Sequence, residues 1–216
     1  MLVPGGQGSA PPARRPTRRG GPGRMCQHVP MLGNLRRTVE RRAGHVVFGS
    51  RRWVEAQLRV VARDLRSARV LEIGSGRQDL GEDAYSFRHV FEPGNEFVQS
   101  DVDPSYGHLV VDVTTMEFDE EWDVILCVSV VEHIPEFWAA AERIHRALSP
   151  GGLAVVVAPM CFPYHDEPHD YWRFTAHGLR RMLSDFESVD VRSHGPRRLP
   201  FASMAVARKA GTPATV

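Results

Sequence analysis

The stretch RVLEIGSG, residues 69–76, decides the fold. A short apolar run that ends in Gly-x-Gly is typical of a buried strand leading into a tight turn. The glycines at positions 74 and 76 let the turn adopt left-handed backbone and let a ligand approach the main chain closely. The stretch therefore predicts the first strand of an α/β sheet, with a candidate ligand-binding turn at its carboxyl end.

Further strand and helix patterns alternate on the carboxyl side of this turn. Strands are predicted at EFVQSDVD (96–103), HLVVDV (108–113), WDVILCVSV (122–130), LAVVVAP (153–159), SVDVRSH (188–194) and SMAVARKA (203–210). Helical spacing predicts helices over 51–65, 135–148 and 175–186, with SPGG (149–152) ending the second and Thr175 capping the third. Apolar strands that alternate with helices predict a doubly wound, mostly parallel sheet with helices on both faces.

Composition is consistent with one globular domain and a tail. The 216 residues are 42% hydrophobic and 25% charged, which suits a packed core. We expect a disordered Pro/Gly-rich tail over 1–30, one domain over 31–210 and a disordered end over 211–216. Three widely spaced cysteines without a CxxC pair argue against a disulfide framework and favour a cytoplasmic location. No apolar run approaches the roughly 18 residues of a membrane span, so none is expected.

The charge is distributed unevenly. Residues 1–52 hold eleven Arg and one Glu, which leaves 16 Lys and Arg against 25 Asp and Glu in the remainder. A basic arm of this kind can contact nucleic acid or anionic lipid. Its Pro/Gly-rich composition favours a disordered extension instead, so nucleic acid is not the expected partner. The sequence gives no indication of the oligomeric state.

Carboxylates stand at the predicted strand ends. Glu72, before the glycine turn, suits either an ammonium group or an internal role in ordering the loop. Asp101 can accept hydrogen bonds from a ribose diol, with Asp103 the weaker candidate. Asp112 can accept from an adenine amine or serve as a turn residue. A dinucleotide turn needs a third glycine where Asp79 stands, so a phosphate-free nucleoside fits better than NAD.

These segments together resemble one known family. RVLEIGSG, VQSDVDP, VVDVTTMEF, EWDVILCVSVVEHIP and ALSPGGLAVVVAP occur in the order seen in class I S-adenosylmethionine-dependent methyltransferases, with the type 11 methyltransferase-domain group the nearest match. The resemblance covers roughly 50–208 and implies a Rossmann-like seven-stranded sheet with its last strand antiparallel. Two features depart from the pattern: Gln78 replaces a common third glycine, and 104–109 is too short for the usual helix.

The resemblance also implies the cofactor, S-adenosyl-L-methionine, and its contacts. Glu72, Gly74, Ser75 and Gly76 would surround the methionine end and the ribose. Asp101 would bind the ribose hydroxyls. Val102 would pack on the adenine, and Asp112 and Val113 would flank the adenine. Ser129 would line the methionine side.

The stretch HDEPHDYWRF, residues 165–174, follows the fifth predicted strand and admits three interpretations. His165 or His169 could be a general base for the acceptor. Its histidines and aspartates could chelate a metal, which the short loop and Pro168 argue against, so no metal ion is expected. Alternatively, its aromatic residues could anchor the loop while Asp170 and Arg173 pair.

Other polar residues near this stretch complete the predicted site. His133 could close the pocket as a third catalytic candidate or simply begin a helix. Tyr164, Asp170, Tyr171 and Arg173 are candidates for binding the acceptor.

The sequence thus predicts a methyltransferase that acts on an oxygen or nitrogen of a small-molecule acceptor. One alternative is a methyltransferase-like binding protein without turnover, which Gln78 and the short second connection leave open. The other is a nicotinamide-dependent oxidoreductase, which the glycine spacing and Asp79 disfavour.

Overall fold

The computed structural model describes residues 50–77, 85–92, 94–165 and 168–211. The predictions for the two tails, 1–30 and nearly all of 211–216, and those for Gln78 and Asp79 lie outside these residues. In chain order the elements are α1 Ser50–Ala62, β1 Arg69–Ile73, α2 Arg88–Phe91, β2 Glu96–Asp101, β3 Leu109–Val110, β4 Trp122–Val128, α3 Phe137–Ala147, β5 Leu148–Pro159, α4 Ala176–Met182, β6 Ser188–His194 and β7 Ala202–Arg208. Short 3₁₀ turns cover Pro104–Tyr106 and Val131–His133.

The seven strands form one sheet in the order β3-β2-β1-β4-β5-β7-β6. Strands β1 to β5 pair in parallel, whereas β7 runs antiparallel to both of its neighbours, β5 and β6. This arrangement confirms the predicted class I methyltransferase fold with its antiparallel last strand. Because the ends of β1, β2 and β4 lie side by side, the loops that follow them meet at one edge of the sheet.

Side chains alternate between the two faces of the sheet, and each face carries its own core. On one face Leu71, Ile125 and Val156 pack with α3 and α4. On the other, Val70, Leu126 and Val155 pack with α1 and with Phe87 and Phe91. The central strands are therefore apolar throughout because both of their faces are covered.

Several element boundaries differ from the prediction. The third strand spans only Leu109–Val110, because it is an exposed edge whose apolar residues enter neither core. SPGG does not separate α3 from β5, because β5 begins at Leu148, which pairs with Trp122 of β4. The register of this pairing then shifts between Trp122 and Val124. Helix α4 ends at Met182 rather than 186. Its predicted cap is confirmed, since Thr175 Oγ1 accepts from Gly178 N at 3.0 Å.

The connection between β2 and β3 contains a single 3₁₀ turn in place of a helix. Asp103 caps this turn by accepting from Ser105 N at 2.8 Å. Among the described residues, no helix has the length and apolar character needed to cross a membrane.

Candidate active site

In the turn after β1, the two glycine positions have no room for a side chain. Gly74 has φ +73°, and a Cβ added there would lie 2.4 Å from Cγ2 of Val130. Gly76 has φ +71°, and its added Cβ would lie 3.0 Å from the Tyr85 side chain. Between them, Ser75 is buried and donates its N–H to Ser100 O at 2.9 Å. The turn therefore presents bare backbone at the edge where β1, β2 and β4 end.

Glu72 orders this turn from beneath. Its buried carboxylate accepts hydrogen bonds from Ser75 Oγ (2.8 Å), Ser86 Oγ (2.5 Å) and Phe87 N (2.8 Å). Burial raises the pKa of Glu72, and these three hydrogen bonds only partly offset that effect. Of the two roles predicted for Glu72, the geometry favours the internal one, because its oxygens already hold the turn and the segment that leads into α2.

This buried carboxyl should make stability depend on pH. Between its ordinary pKa of 4.5 and its raised folded value, the folded protein binds one proton more than the unfolded chain. The free energy of unfolding should therefore fall as pH rises above 4.5, by up to about 1.4 kcal/mol per pH unit relative to Glu72→Gln. Urea unfolding of both proteins across this range measures the difference. In the exposed control Glu142→Gln, the free energy of unfolding should change with pH as it does in wild type. A difference in the free energy of unfolding between wild type and Glu72→Gln that stays constant with pH would contradict the raised pKa of Glu72.

Asp101 lies at the end of β2 and reaches the same turn. It is 8% exposed, and its Oδ2 accepts from Gly76 N at 2.9 Å while Oδ1 accepts from Asp103 N at 3.2 Å. A carboxylate has further lone pairs, so Asp101 can still accept from a ribose hydroxyl. The next residue, Val102, is 62% exposed and offers an apolar surface beside it.

One residue at this turn was not foreseen from the sequence. His108 Nε2 lies 2.8 Å from Gly76 O, and because a carbonyl only accepts, the ring nitrogen is the donor. His108 thus fixes the second glycine of the turn from the β2–β3 connection. A lone histidine before an apolar strand carries no signal of this contact.

The two other predicted adenine contacts lie in the segment that follows β3. Asp112 is exposed, and its Oδ1 accepts from Thr114 N (2.8 Å) and Thr114 Oγ1 (2.7 Å), which is the geometry of a turn residue. Val113 is buried in the core of the α3 face. Both residues follow the end of β3, next to the end of β2, and the exposed Asp112 is the one of the two whose side chain is open to a ligand.

Ser129 marks the end of β4. It is exposed, has φ +55°, and donates its N–H to Val157 O at 2.9 Å. Positive φ in a residue other than glycine is uncommon and occurs disproportionately at functional sites. Ser129 also precedes Val130, the residue that closes on Gly74, so it lies next to the glycine turn.

The stretch 165–174 docks on the loop after β4. Tyr171 N and Trp172 N both donate to Glu132 O, at 2.8 and 3.2 Å, and Trp172 Nε1 donates to Ile134 O at 3.0 Å. Phe174 is buried, and its ring centroid lies 5.1 Å from that of Phe137. These contacts match the anchoring interpretation of the stretch for Trp172 and Phe174.

The predicted pair of Asp170 and Arg173 is present. The Asp170 side chain is fully buried and accepts from both terminal nitrogens of Arg173 and from His165 N at 2.9 Å. Burial opposes ionisation, but these hydrogen bonds outweigh it and lower the pKa of Asp170 to about 2. The polar atoms of both residues therefore hold the loop. Tyr164 and Tyr171, the other candidates for acceptor binding, are exposed.

The structure brings together two of the three predicted catalytic histidines. The rings of His133 and His165 meet edge to face with centroids 4.9 Å apart. Burial, and then the neighbouring His133, lower the pKa of His165, which favours a neutral imidazole. His169 is exposed; its carbonyl, at 2.6 Å, pairs with His133 Nδ1, while its ring lies 5.7 Å from that of Tyr171.

Glu132 is the functional candidate that sequence reasoning missed. It has no exposed surface, and within the described part of the chain its carboxyl oxygens have no hydrogen-bond partner from another residue. Oε1 lies 4.0 Å from His133 Nε2. Desolvation raises the pKa of Glu132 to about 8. The only available signal was an acid directly after a buried strand and directly before a histidine.

Comparison with known proteins places this geometry in context. The sequence model of a family described as methyltransferase domain matches residues 45–187. No curated protein matches the chain. Among solved structures, a 1,6-didemethyltoxoflavin-N1-methyltransferase from Burkholderia thailandensis is 19% identical with a TM-score of 0.54, over 83% of this chain and 89% of that one.

Two further solved structures are similar over less of their own length. A phosphoethanolamine N-methyltransferase 2 from Haemonchus contortus is 14% identical with a TM-score of 0.56, over 72% of this chain and 52% of that one. The CurJ carbon methyltransferase is 19% identical with a TM-score of 0.54, over 71% of this chain and 54% of that one. The chain thus spans about half the length of these two proteins.

Proposed function

This chain belongs to the methyltransferase-domain family and uses S-adenosylmethionine, and we propose that it transfers the methyl group to an oxygen or nitrogen of a small-molecule acceptor. The order of its strand-end segments supports a relationship to the type 11 group within that family. The glycine turn carries the proposal: bare backbone at Gly74 and Gly76, with Asp101 and Val102 beside it, fits a nucleoside that has no phosphate.

S-adenosylmethionine supplies a methyl group already activated by the positive charge on its sulfur. Transfer is then an in-line displacement, so positioning of the acceptor supplies much of the rate. Asp101 would orient the ribose, and the exposed Ser129 would face the methionine side. An acceptor hydroxyl or amine must also lose a proton, and the neutral imidazole of His165 suits that task.

The compact domain favours a small acceptor. Within the described ranges, only the segments 160–165 and 168–174 and the short turns after β2 and β4 are added to the sheet and its helices at this edge, and no added substrate domain is present. The Burkholderia thailandensis structure named above, which contains bound 1,6-didemethyltoxoflavin, has the same fold with a small heterocycle as its ligand.

Transfer of a tritiated methyl group from S-adenosylmethionine tests the acceptor class. We expect label in the small-molecule fraction of a bacterial extract and none above background in its RNA or protein fractions. His165→Ala should lower the rate by about 100-fold or more while leaving S-adenosylhomocysteine binding intact. His177→Ala, an exposed histidine on α4, is the matched control and should keep the wild-type rate.

Two outcomes would count against the proposal. Label that enters RNA or protein would replace the small acceptor with a macromolecule. An unchanged rate in His165→Ala would remove that imidazole from the proton transfer.

A further inference from the structure

Three potential metal ligands converge from two loops at the strand-end edge. Glu132 and His133 follow β4, and His165 follows β5. Because β4 and β5 are parallel neighbours, their carboxyl ends meet, and one ligand atom from each of the three residues lies within 4.8 Å of the others. These three residues, called the trio below, lie close to the glycine turn, because Val130 of the loop after β4 contacts Gly74.

The carboxylate of Glu132 is the strongest sign that something is bound here. A buried carboxylate without hydrogen bonds is costly, by several kcal/mol, unless it is neutralised, paired or coordinated to a cation. Glu132 has no exposed surface and, within the described part of the chain, no other residue donates a hydrogen bond to either oxygen. Its neighbours His133 and His165 keep only 13% and 19% of their side-chain surface exposed, so water is largely excluded.

Both histidines are held in the tautomer that a metal requires. His133 Nδ1 lies 2.6 Å from His169 O, and His165 Nδ1 lies 3.1 Å from Pro163 O. A carbonyl oxygen only accepts, so each Nδ1 carries the proton and each Nε2 keeps a lone pair. His165 Nδ1 also lies 3.2 Å from Asp170 Oδ2, the carboxylate–histidine arrangement that orients and strengthens metal-binding imidazoles.

We propose that Glu132, His133 and His165 bind one divalent transition-metal ion of the Zn²⁺ type. One carboxylate oxygen with two imidazole nitrogens is a ligand set typical of such ions, whereas Mg²⁺ and Ca²⁺ prefer oxygen ligands alone. Ligand atoms around tetrahedral zinc lie about 3.3 Å apart. The ligand atoms of the trio lie within 4.8 Å of one another, so side-chain rotations that move each atom by about 1 Å would bring them to that separation.

The proposed metal site differs from the expectation, drawn from the sequence, that no metal ion is bound. That expectation considered histidines and aspartates of the stretch 165–174 alone, where Pro168 prevents convergence. The ligands proposed here come from two loops, and only His165 belongs to that stretch. His169 contributes its carbonyl to His133, and Asp170 contributes a hydrogen bond to His165.

An ion held by three protein ligands keeps a coordination position open. That position would take the acceptor oxygen or nitrogen, and a cation there would lower the pKa of the bound group so that its proton passes to solvent water before methyl transfer. With the ion bound, His165 acts as a ligand, and the metal replaces its imidazole in the proton-removing role proposed above. This last step rests on the proposed function, whereas the binding of the ion does not.

Titration of the chelator-treated protein with Co²⁺ tests the site without any methyl transfer. We expect one equivalent to bind, with visible absorption bands of a low-coordinate Co²⁺ complex that Zn²⁺ abolishes by displacement. Glu132→Gln and His165→Ala should each weaken Co²⁺ binding by on the order of 100-fold or more, and Asp170→Asn by about 10 to 100-fold. The control His177→Ala should bind as wild type does.

Two results would overturn the site: Co²⁺ binding that is equally tight in wild type and Glu132→Gln, or no stoichiometric binding to a wild-type protein shown to be folded by circular dichroism. Because S-adenosylhomocysteine binding is measured separately on the same metal-free samples, failure of the metal site is distinguishable from failure of the methyltransferase assignment.

Discussion

Replacing Phe174 with alanine is expected to lower the free energy of unfolding by about 3–5 kcal/mol. The ring is 5% exposed and packs edge to face on Phe137 of α3. Its backbone N–H donates to Pro159 O at 3.0 Å, so the residue ties the end of the 165–174 stretch to the end of β5. Truncation would remove buried apolar surface and leave a cavity between that stretch and α3.

Urea unfolding measures this loss, and Tyr171→Ala provides the matched control. Tyr171 belongs to the same stretch but is 47% exposed, so its truncation should change the free energy of unfolding by less than about 0.5 kcal/mol. Similar losses in the two variants would refute the anchoring role of Phe174. Because Tyr171 and Trp172 bond Glu132 O, the Phe174→Ala variant should also weaken Co²⁺ binding through loosening of the loop.

Gly74→Ala is expected to abolish S-adenosylhomocysteine binding and to lower the free energy of unfolding by about 2–5 kcal/mol. Two separate effects combine there. An alanine at φ +73° is strained by about 1–2 kcal/mol, and its Cβ would lie 2.4 Å from Val130 Cγ2, an overlap that costs typically 1–3 kcal/mol. Relief of that overlap must displace the turn or the loop after β4, and both border the proposed cofactor site.

Calorimetric titration with S-adenosylhomocysteine and urea unfolding together check this prediction. Gly178→Ala is the control: that glycine lies in α4, where an added Cβ would meet only Thr175 Oγ1 at 3.5 Å and Phe174 at 3.9 Å. Alanine there should leave binding unchanged and stability unchanged or slightly higher. Wild-type affinity in Gly74→Ala would show that the turn does not form the cofactor site.

The sheet could be predicted because its strands are short apolar runs, and burial on both faces requires such runs regardless of the rest of the chain. The edge strand β3 was overestimated because Leu109 and Val110 look like core residues but are 45% and 58% exposed. The tight turn after β1 could also be predicted, because glycine tolerates the positive φ that Gly74 and Gly76 adopt there.

The polar site was harder to predict, because its properties depend on distant partners. The role of Glu72 is decided by Ser86 and Phe87, which the sequence does not connect to it. Glu132 became a candidate only when His165, from another loop, was seen beside it. Nothing local distinguishes a buried carboxylate without a partner from an ordinary helix-start acid.

The position of β7 constrains how the protein is made. Among the described residues, 202–208 form the last strand in sequence, yet they lie inside the sheet between β5 and β6. During synthesis, β6 therefore leaves the ribosome before β7, the strand that joins it to the sheet, has been made. Until then one edge of β5 has no hydrogen-bonded neighbour. The nascent chain can complete its sheet only when β7 emerges, so translation that stops before Ala202 leaves a gap in the interior of the sheet instead of a shortened edge.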